Sequence, residues 1–391
     1  MGLDQPKVSA LINGRKGRFR ERGIANGEAG DARGGRGATR LTEEEMRVCR
    51  IYGAEDLRVE TVSEPEVGPG EVLLKLGAGG ICGSDMHYFQ HGRVGSFVIR
   101  EPLIPGHEIS GTVTKVGPEV ARVKEGDKIA INPSHPCGRC AACRAGRENL
   151  CSHMRFLGSA SVFPHVQGMF RESFVMPERQ CYPVSSAVSL GELAFAEPLS
   201  VALHAVNRGG NLLGKSILVT GAGPIGCLIV VAARLAGAAS VTVADVVDRP
   251  LAQAKNVGAD RCLRVDQVSG GPEAAAGVLG EIDLAFEAAG NPAALGTCLA
   301  SVGRGGRIVQ VGTLPPEGVH LLANQVMARE IDYVGTFRFG VEFDWAVRFL
   351  AEGRVDVKPL LSAQYPLTEA VAAFRAAADK TKSTKVQLVC A

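Results

Sequence analysis

An apolar run at residues 216–220 leads directly into Gly221-Ala222-Gly223-Pro224-Ile225-Gly226, which opens an apolar stretch reaching Leu235. A glycine hexapeptide by itself means little in a chain with 49 glycines. Between a buried strand and a helix it is far more restrictive, because that context is the strand–turn–helix unit that binds dinucleotides. Gly221 permits the tight turn, Gly223 lets the backbone approach a pyrophosphate, and Gly226 lets helix and strand pack closely. Pro224 and Ile225 start the helix, whose free N–H groups face the anion. Asp245 ends the following strand, where an acid hydrogen-bonds the adenosine ribose hydroxyls and favours NAD over NADP. Asp245 could instead cap the next helix. Arg249 is a cation close enough to accept a 2′-phosphate, so NADP stays open.

The rest of the chain arranges itself around this unit. From about Leu212 onward, strands expected at 216–220, 240–244, 282–287, 306–311 and 331–336 alternate with helices, which predicts a doubly wound parallel sheet. Before it, short strands at 71–76, 108–116 and 128–132 are separated by Gly-, Pro- and Asp-containing turns. The most apolar stretch, 217–244, is interrupted by Gly221, Gly223, Pro224, Gly226, Arg234 and Gly237, and so cannot be a membrane span. Three regions follow: an extension at 1–45, a mostly-β domain built from 46–200 and 337–391, and a nucleotide domain at 201–336. Residues 1–45 are rich in Gly and Arg with almost no apolar periodicity. They are expected to be disordered, with Met46 as a candidate natural start. A basic tail can bind nucleic acid or act as a targeting peptide, but the net charge of +2 gives no wider reason to expect a nucleic-acid or membrane partner.

Four of the 11 cysteines fall in one loop, as Cys137-x2-Cys140-x2-Cys143-x7-Cys151. The odd total and the clustering argue for metal binding in a reducing, cytoplasmic setting rather than a secreted disulfide framework. Four thiolates close a tetrahedral zinc shell, which defines a structural site. The spacing alone also allows an iron–sulfur cluster. Arg139, Arg144 and Arg147 are expected to help keep the thiols ionised. A second, dispersed set consists of Cys82, His107-Glu108 and Glu197. One thiolate, one imidazole and a carboxylate suit a catalytic zinc that keeps a position open. Spacing alone also allows ordinary structural roles.

These motifs resemble the zinc-containing medium-chain alcohol dehydrogenases, in their sorbitol dehydrogenase branch. The resemblance is carried by Cys82-Gly-Ser-Asp-Met-His87-Tyr88, Gly106-His107-Glu108, the four-cysteine loop, Glu197-Pro198-Leu199-Ser200-Val201, the glycine motif and Phe337-Arg338. Met154 to Ala160, Phe163 to Val166, Phe337-Arg338-Phe339 and the terminal Lys385 to Val389 resemble the L-idonate 5-dehydrogenases of that branch. The resemblance implies a GroES-like catalytic domain carrying an inserted Rossmann domain, with the active site in the cleft between them. It implies two zincs per subunit, one held by Cys82, His107, Glu108 and Glu197 and the other by the four cysteines. Of the two acids, one ligates directly and the other through water or during turnover. Ser84 and His87 stand at proton-relay positions. Val311, Thr313 and Phe337 join the cofactor contacts, and Tyr88, Arg338 and Phe339 the substrate contacts. The implied reaction is oxidation of a sugar acid or polyol, foremost L-idonate to 5-keto-D-gluconate, by a homodimer or homotetramer. Sorbitol, xylitol and threonine oxidation are the nearby alternatives, and an inert nucleotide-binding relative is the alternative of another kind.

Overall fold

β-Branched runs separated by glycine turns build two sheets, and the way the chain passes between them creates the site. The computed structural model describes residues 45–185 and 187–390; the expectations for 1–44 lie outside them. The larger sheet runs, in spatial order, Cys181–Val184, Lys128–Ile131, Glu108–Val116, Glu71–Gly80, Lys385–Val389 and Leu361–Pro366. Ser173–Pro177 also pairs with Glu71–Gly80. Pairing is antiparallel except between Leu361–Pro366 and Lys385–Val389. In this register Gly80 stands opposite both Glu108 and Gln387. Three distant segments therefore meet at one end of the sheet, immediately before Cys82.

The second sheet is wholly parallel, in the order Arg261–Arg264, Ser240–Asp245, Ser216–Thr220, Ile282–Glu287, Val302–Gln310 and Asp332–Gly335. Its strand order reverses between Ser216–Thr220 and Ile282–Glu287. That switch point opens a crevice at the carboxyl ends of the strands, the place where ligands bind in such sheets. The expected strands are present, with Val302–Gln310 beginning earlier than read and Asp332–Gly335 slightly shorter. The strand Arg261–Arg264 had not been expected: Arg-Cys-Leu-Arg at a sheet edge has neither the length nor the alternation to reveal itself.

The helix Ala196–Gly209 continues across residue 200, where the sequence reading placed a domain boundary. Pro198 is tolerated there because the first turn of a helix has N–H groups to spare. The buried face of this helix packs on Pro224–Leu235 and on Glu342–Ala351. The helix thus spans both halves, with Glu197 in its first turn. Arg249 also joins the halves, donating to Thr384 Oγ1 at 3.1 Å and Ser362 Oγ at 3.2 Å.

On the catalytic side, Phe374 is fully buried with its ring edge-on to Phe89 and Phe170, at 5.4 and 6.1 Å between centroids. Phe170 in turn lies against Gly106, where no Cβ would fit. Phe374→Ala is expected to lower stability by about 3–5 kcal/mol, as for other large cavities. A drop of less than about 1 kcal/mol in urea unfolding would show that Phe374 does not support this core.

Candidate active site and metal centres

Cys82 immediately precedes the helix Gly83–His91, and Asp85 in its first turn accepts the Cys82 N–H at 3.0 Å. Asp85 is fully buried, also accepts the Gly106 N–H at 3.2 Å, and lies 3.7 Å from His107 Nδ1. One carboxylate therefore fixes both the turn bearing the thiol and the turn bearing the imidazole. Asp85 stands beside His107 Nδ1 without a hydrogen bond to it, and that buried nitrogen has no protein partner. Burial raises the Asp85 carboxyl, and His107 opposes that. The His107 ring is held edge-on to Phe156, with centroids 5.5 Å apart.

Donor atoms of Cys82, His107 and Glu108 converge to within 4.8 Å of one another. Glu197, 6% exposed, approaches from the helix Ala196–Gly209 and is electrostatically coupled to all three. Burial pushes the Cys82 thiol up to about 12, with Glu108 adding to the shift. Burial also pushes Glu197 up to about 8; His107 opposes the shift, and Glu108 and Cys82 reinforce it. A soft thiol, an imidazole and a carboxylate within reach of one another form a donor set that fits a zinc ion, with Glu197 standing beside that trio.

A further cation belongs to this cluster. Lys385 is buried, with Nζ 2.7 Å from both carboxylate oxygens of Glu108 and 3.3 Å from the Ile81 carbonyl. Burial pulls the ammonium down, but Glu108 and Cys82 outweigh it and the net shift is upward. Gly80 makes room for the pair, since a Cβ there would strike the Glu108 carboxylate. Neither Asp85 nor Lys385 had been assigned a role from the sequence. A lysine opening the otherwise buried strand Lys385–Val389 was the available signal, because a buried ammonium needs a counter-charge.

Ser84 and His87 lie on the same helix three residues apart, and Ser84 is near enough to the Cys82 thiol to offset part of the shift that burial causes. His87 is solvent-exposed, and its pKa is lowered by partial burial and by His91 and Lys380. Tyr88 is buried, and its hydroxyl accepts the Ala160 N–H at 2.9 Å, so that hydroxyl already has a partner in the protein. The Arg338 guanidinium lies 4.7 Å above the Phe156 ring and 4.9 Å above that of Phe337. Burial lowers its pKa, while Glu197, Tyr88 and Cys151 raise it. Arg338 thus borders the donor cluster. Phe339 does not: it is 2% exposed and stacks on Phe343 at 5.7 Å. At Phe339, expected to contact substrate, the structure shows a core contact instead. Arg93 and Arg155 are exposed.

In the cysteine lobe, Cys137, Cys140, Cys143 and Cys151 also converge within 4.8 Å, with Cys140 and Cys143 sulfurs 3.5 Å apart. Zinc–sulfur bonds of about 2.3 Å in a tetrahedron place sulfurs roughly 3.8 Å apart, so the set fits a closed zinc shell. Backbone N–H groups of Cys143 and Ser152 push Cys140 down to about 5. Arg139, Arg144 and Arg147, expected to act by charge, are exposed; backbone amides lower Cys137 and Cys140, whereas burial pushes Cys143 up to about 12.

At the nucleotide crevice Gly221 has φ +92°, and a Cβ there would meet the Ala289 amide at 2.7 Å. A Cβ on Gly226 would collide with the Gly221 carbonyl, whereas Gly223 faces open space. The opening thus lies where a pyrophosphate has to approach. Asp245 accepts N–H groups from Ala222 at 2.6 Å and from Val246 and Val247 at 2.6 and 3.0 Å. It therefore shapes the glycine turn as well as the start of the next helix. Val311 N–H bonds the Glu287 carbonyl, and the Thr313 carbonyl packs on Gly290, which brings both residues to the switch point. Phe337 is exposed beside Arg338. Arg249 spends two donors on the other sheet, leaving fewer for a 2′-phosphate.

Comparison with known proteins agrees with this geometry. Residues 68–186 match the alcohol dehydrogenase GroES-like domain family and residues 224–352 the zinc-binding dehydrogenase family. The chain is 43% identical to Escherichia coli L-idonate 5-dehydrogenase (NAD(P)(+)), over 81% of this chain and 91% of that protein. It is 36% identical to Bacillus subtilis sorbitol dehydrogenase, over 90% and 99%. The crystal structure of the E. coli L-idonate enzyme superposes with a TM-score of 0.82 at 40% identity, covering 88% of this chain and 98% of that one.

Lys385→Met in zinc-loaded protein is expected to cost about 3–5 kcal/mol, because it strands a buried carboxylate. Adding Glu108→Gln should recover much of that loss. If the single change costs nothing in chemical denaturation, the pair does not stabilise the pocket.

Proposed function

The chain belongs to the zinc-containing medium-chain alcohol dehydrogenases, in the branch of the sorbitol dehydrogenases, and on that premise we propose that it oxidises a sugar acid, L-idonate, to 5-keto-D-gluconate. It is a zinc-dependent polyol or sugar-acid dehydrogenase that uses a nicotinamide cofactor. Zinc in the Cys82 cluster and NAD(P) in the glycine crevice supply Lewis acidity toward the hydroxyl and an acceptor for hydride. The side chains supply the rest. Cys82 and His107 would hold the metal, with Glu197 and Glu108 as the acidic positions, and Lys385 balances the charge of Glu108. In this reading Ser84, on the turn next to Cys82, takes up the hydroxyl proton. His87, its pKa lowered, stands three residues along at the solvent side as a neutral acceptor.

The observation that carries the acid reading is Arg338. It is a partly buried guanidinium beside the donor cluster, packed on aromatic rings, with no carboxylate salt bridge among the described residues. A cation there suits the carboxylate of a sugar acid, with which it makes charge-assisted hydrogen bonds, whereas a neutral polyol offers it only the weaker bonds of hydroxyl oxygens. Asp245 at the ribose position and the engagement of Arg249 elsewhere support NAD as the preferred cofactor. All eleven cysteines are unpaired, which supports a reducing, cytoplasmic setting. No helix among the described residues is long and apolar enough to cross a membrane.

A homodimer or homotetramer is part of the proposal. Asp332–Gly335 leaves a free sheet edge, and Tyr333, Met327 and Leu322 are exposed near it. Sedimentation equilibrium should give at least two chains per particle; a monomer at micromolar concentration would remove this part.

A charged hydrogen bond contributes about 1.5–3 kcal/mol. Arg338→Ala should therefore lower kcat/KM on L-idonate roughly tenfold to a hundredfold, and lower it much less on sorbitol. Equal losses on the two substrates refute an acid-specific role. A steady-state comparison of L-idonate, D-gluconate, sorbitol, xylitol and L-threonine with each cofactor tests the assignment as a whole.

A further inference from the structure

Arg338 has a backbone conformation that L residues rarely adopt, φ +55°, so something must hold the segment that carries it. The holding groups come from two directions. From the helix Ala196–Gly209, Arg208 Nε donates to the Gly335 carbonyl at 2.9 Å. The adjacent Asn207 Nδ2 and, one turn back, His204 Nδ1 reach Glu342 Oε1 at 2.8 and 3.0 Å. The other Glu342 oxygen accepts the Gly340 N–H at 2.8 Å. From the cysteine lobe, Asn149 Nδ2 donates to the Phe337 carbonyl at 3.0 Å and approaches His204 Nε2 at 3.4 Å. With Nε2 accepting, His204 carries its proton on Nδ1 and donates it to Glu342. Residues 335–342 are therefore fixed at both ends and in the middle, and Arg338 is the side chain they deliver to the donor cluster.

We propose that Glu342, held by His204 and Asn207, is the positioning residue that sets the Arg338 guanidinium for the substrate. Asn149 of the cysteine lobe braces the same segment from the opposite side. The function is selectivity for the acid end of the substrate: a guanidinium that wanders off the Phe156 ring meets a carboxylate less often without changing the chemistry at the metal. This inference rests on the reading that Arg338 meets a substrate carboxylate, and the test separates the two.

Glu342→Ala is expected to raise KM for L-idonate about tenfold, with kcat little changed and KM for sorbitol nearly unmoved. Zinc content and NAD affinity, measured directly, should match the parent protein. Glu342→Gln keeps one oxygen, which can serve either the Gly340 N–H or the Asn207 and His204 donors but not both, and should restore only part of the loss. The double variant with Arg338→Ala should behave as Arg338→Ala alone. Additive losses, or equal KM changes on acid and polyol, overturn the proposal. Should Arg338→Ala prove unselective, the carboxylate reading fails on its own account. A crystal structure of Glu342→Ala then decides the positioning: Arg338 displaced from Phe156 upholds it, and an unmoved Arg338 overturns it. If Glu342→Ala does not fold, Asn149→Ala should show the same KM selectivity to a smaller degree, and no selectivity overturns the proposal.

Discussion

Buried negative charge has to be balanced, and the architecture around Cys82 follows from that requirement. A thiol and two carboxyls sit together away from water, and in this setting burial drives Cys82 and Glu197 toward their neutral forms. Two positive charges resolve the conflict. One is covalent to the chain, the Lys385 ammonium on Glu108; the other is the metal ion that the remaining donors fit. Asp85 contributes orientation rather than ligation, fixing Cys82 and Gly106 by backbone bonds and standing beside His107. The pocket thus pairs Glu108 with a cation of the chain and leaves Cys82 and Glu197 for a metal ion to balance, while Asp85 relies on backbone N–H groups.

The two sheets supply that unit with its surroundings. The catalytic sheet brings Glu71–Gly80, Glu108–Val116 and Lys385–Val389 side by side, and the parallel sheet opens its switch point toward the cofactor. The helix Ala196–Gly209 connects the two, with Glu197 at one end and His204, Asn207 and Arg208 toward the other. A single rigid element therefore touches both the metal donors and the segment bearing Arg338.

Local patterns were the legible part of this protein. The glycine motif, the four-cysteine spacing and most strands of the parallel sheet announce themselves within windows of six to fifteen residues, because turn geometry and metal coordination act at that range. Convergence was not legible from spacing: Cys82, His107 and Glu197 were grouped through resemblance to a family. Lys385 went without a role because its partner is 277 residues away. Phe339 was misjudged for a related reason. Its neighbours in sequence border the cleft, but a backbone with φ +55° at Arg338 turns the next side chain into the core against Phe343. Arg261–Arg264 was missed because a four-residue edge strand has too little periodicity to be read.

The contrast in separation between the two metal sites carries into how the protein reaches its working state. The cysteine lobe needs only a short loop to close, with Cys137 and Cys151 14 positions apart. The catalytic pocket needs the whole nucleotide domain to be threaded between Glu108 and its lysine. Closing a longer loop costs more chain entropy and slows formation of the contacts that depend on it. The cysteine lobe is therefore the less costly of the two arrangements to close, and the pocket around Glu108 depends on contacts made across most of the chain.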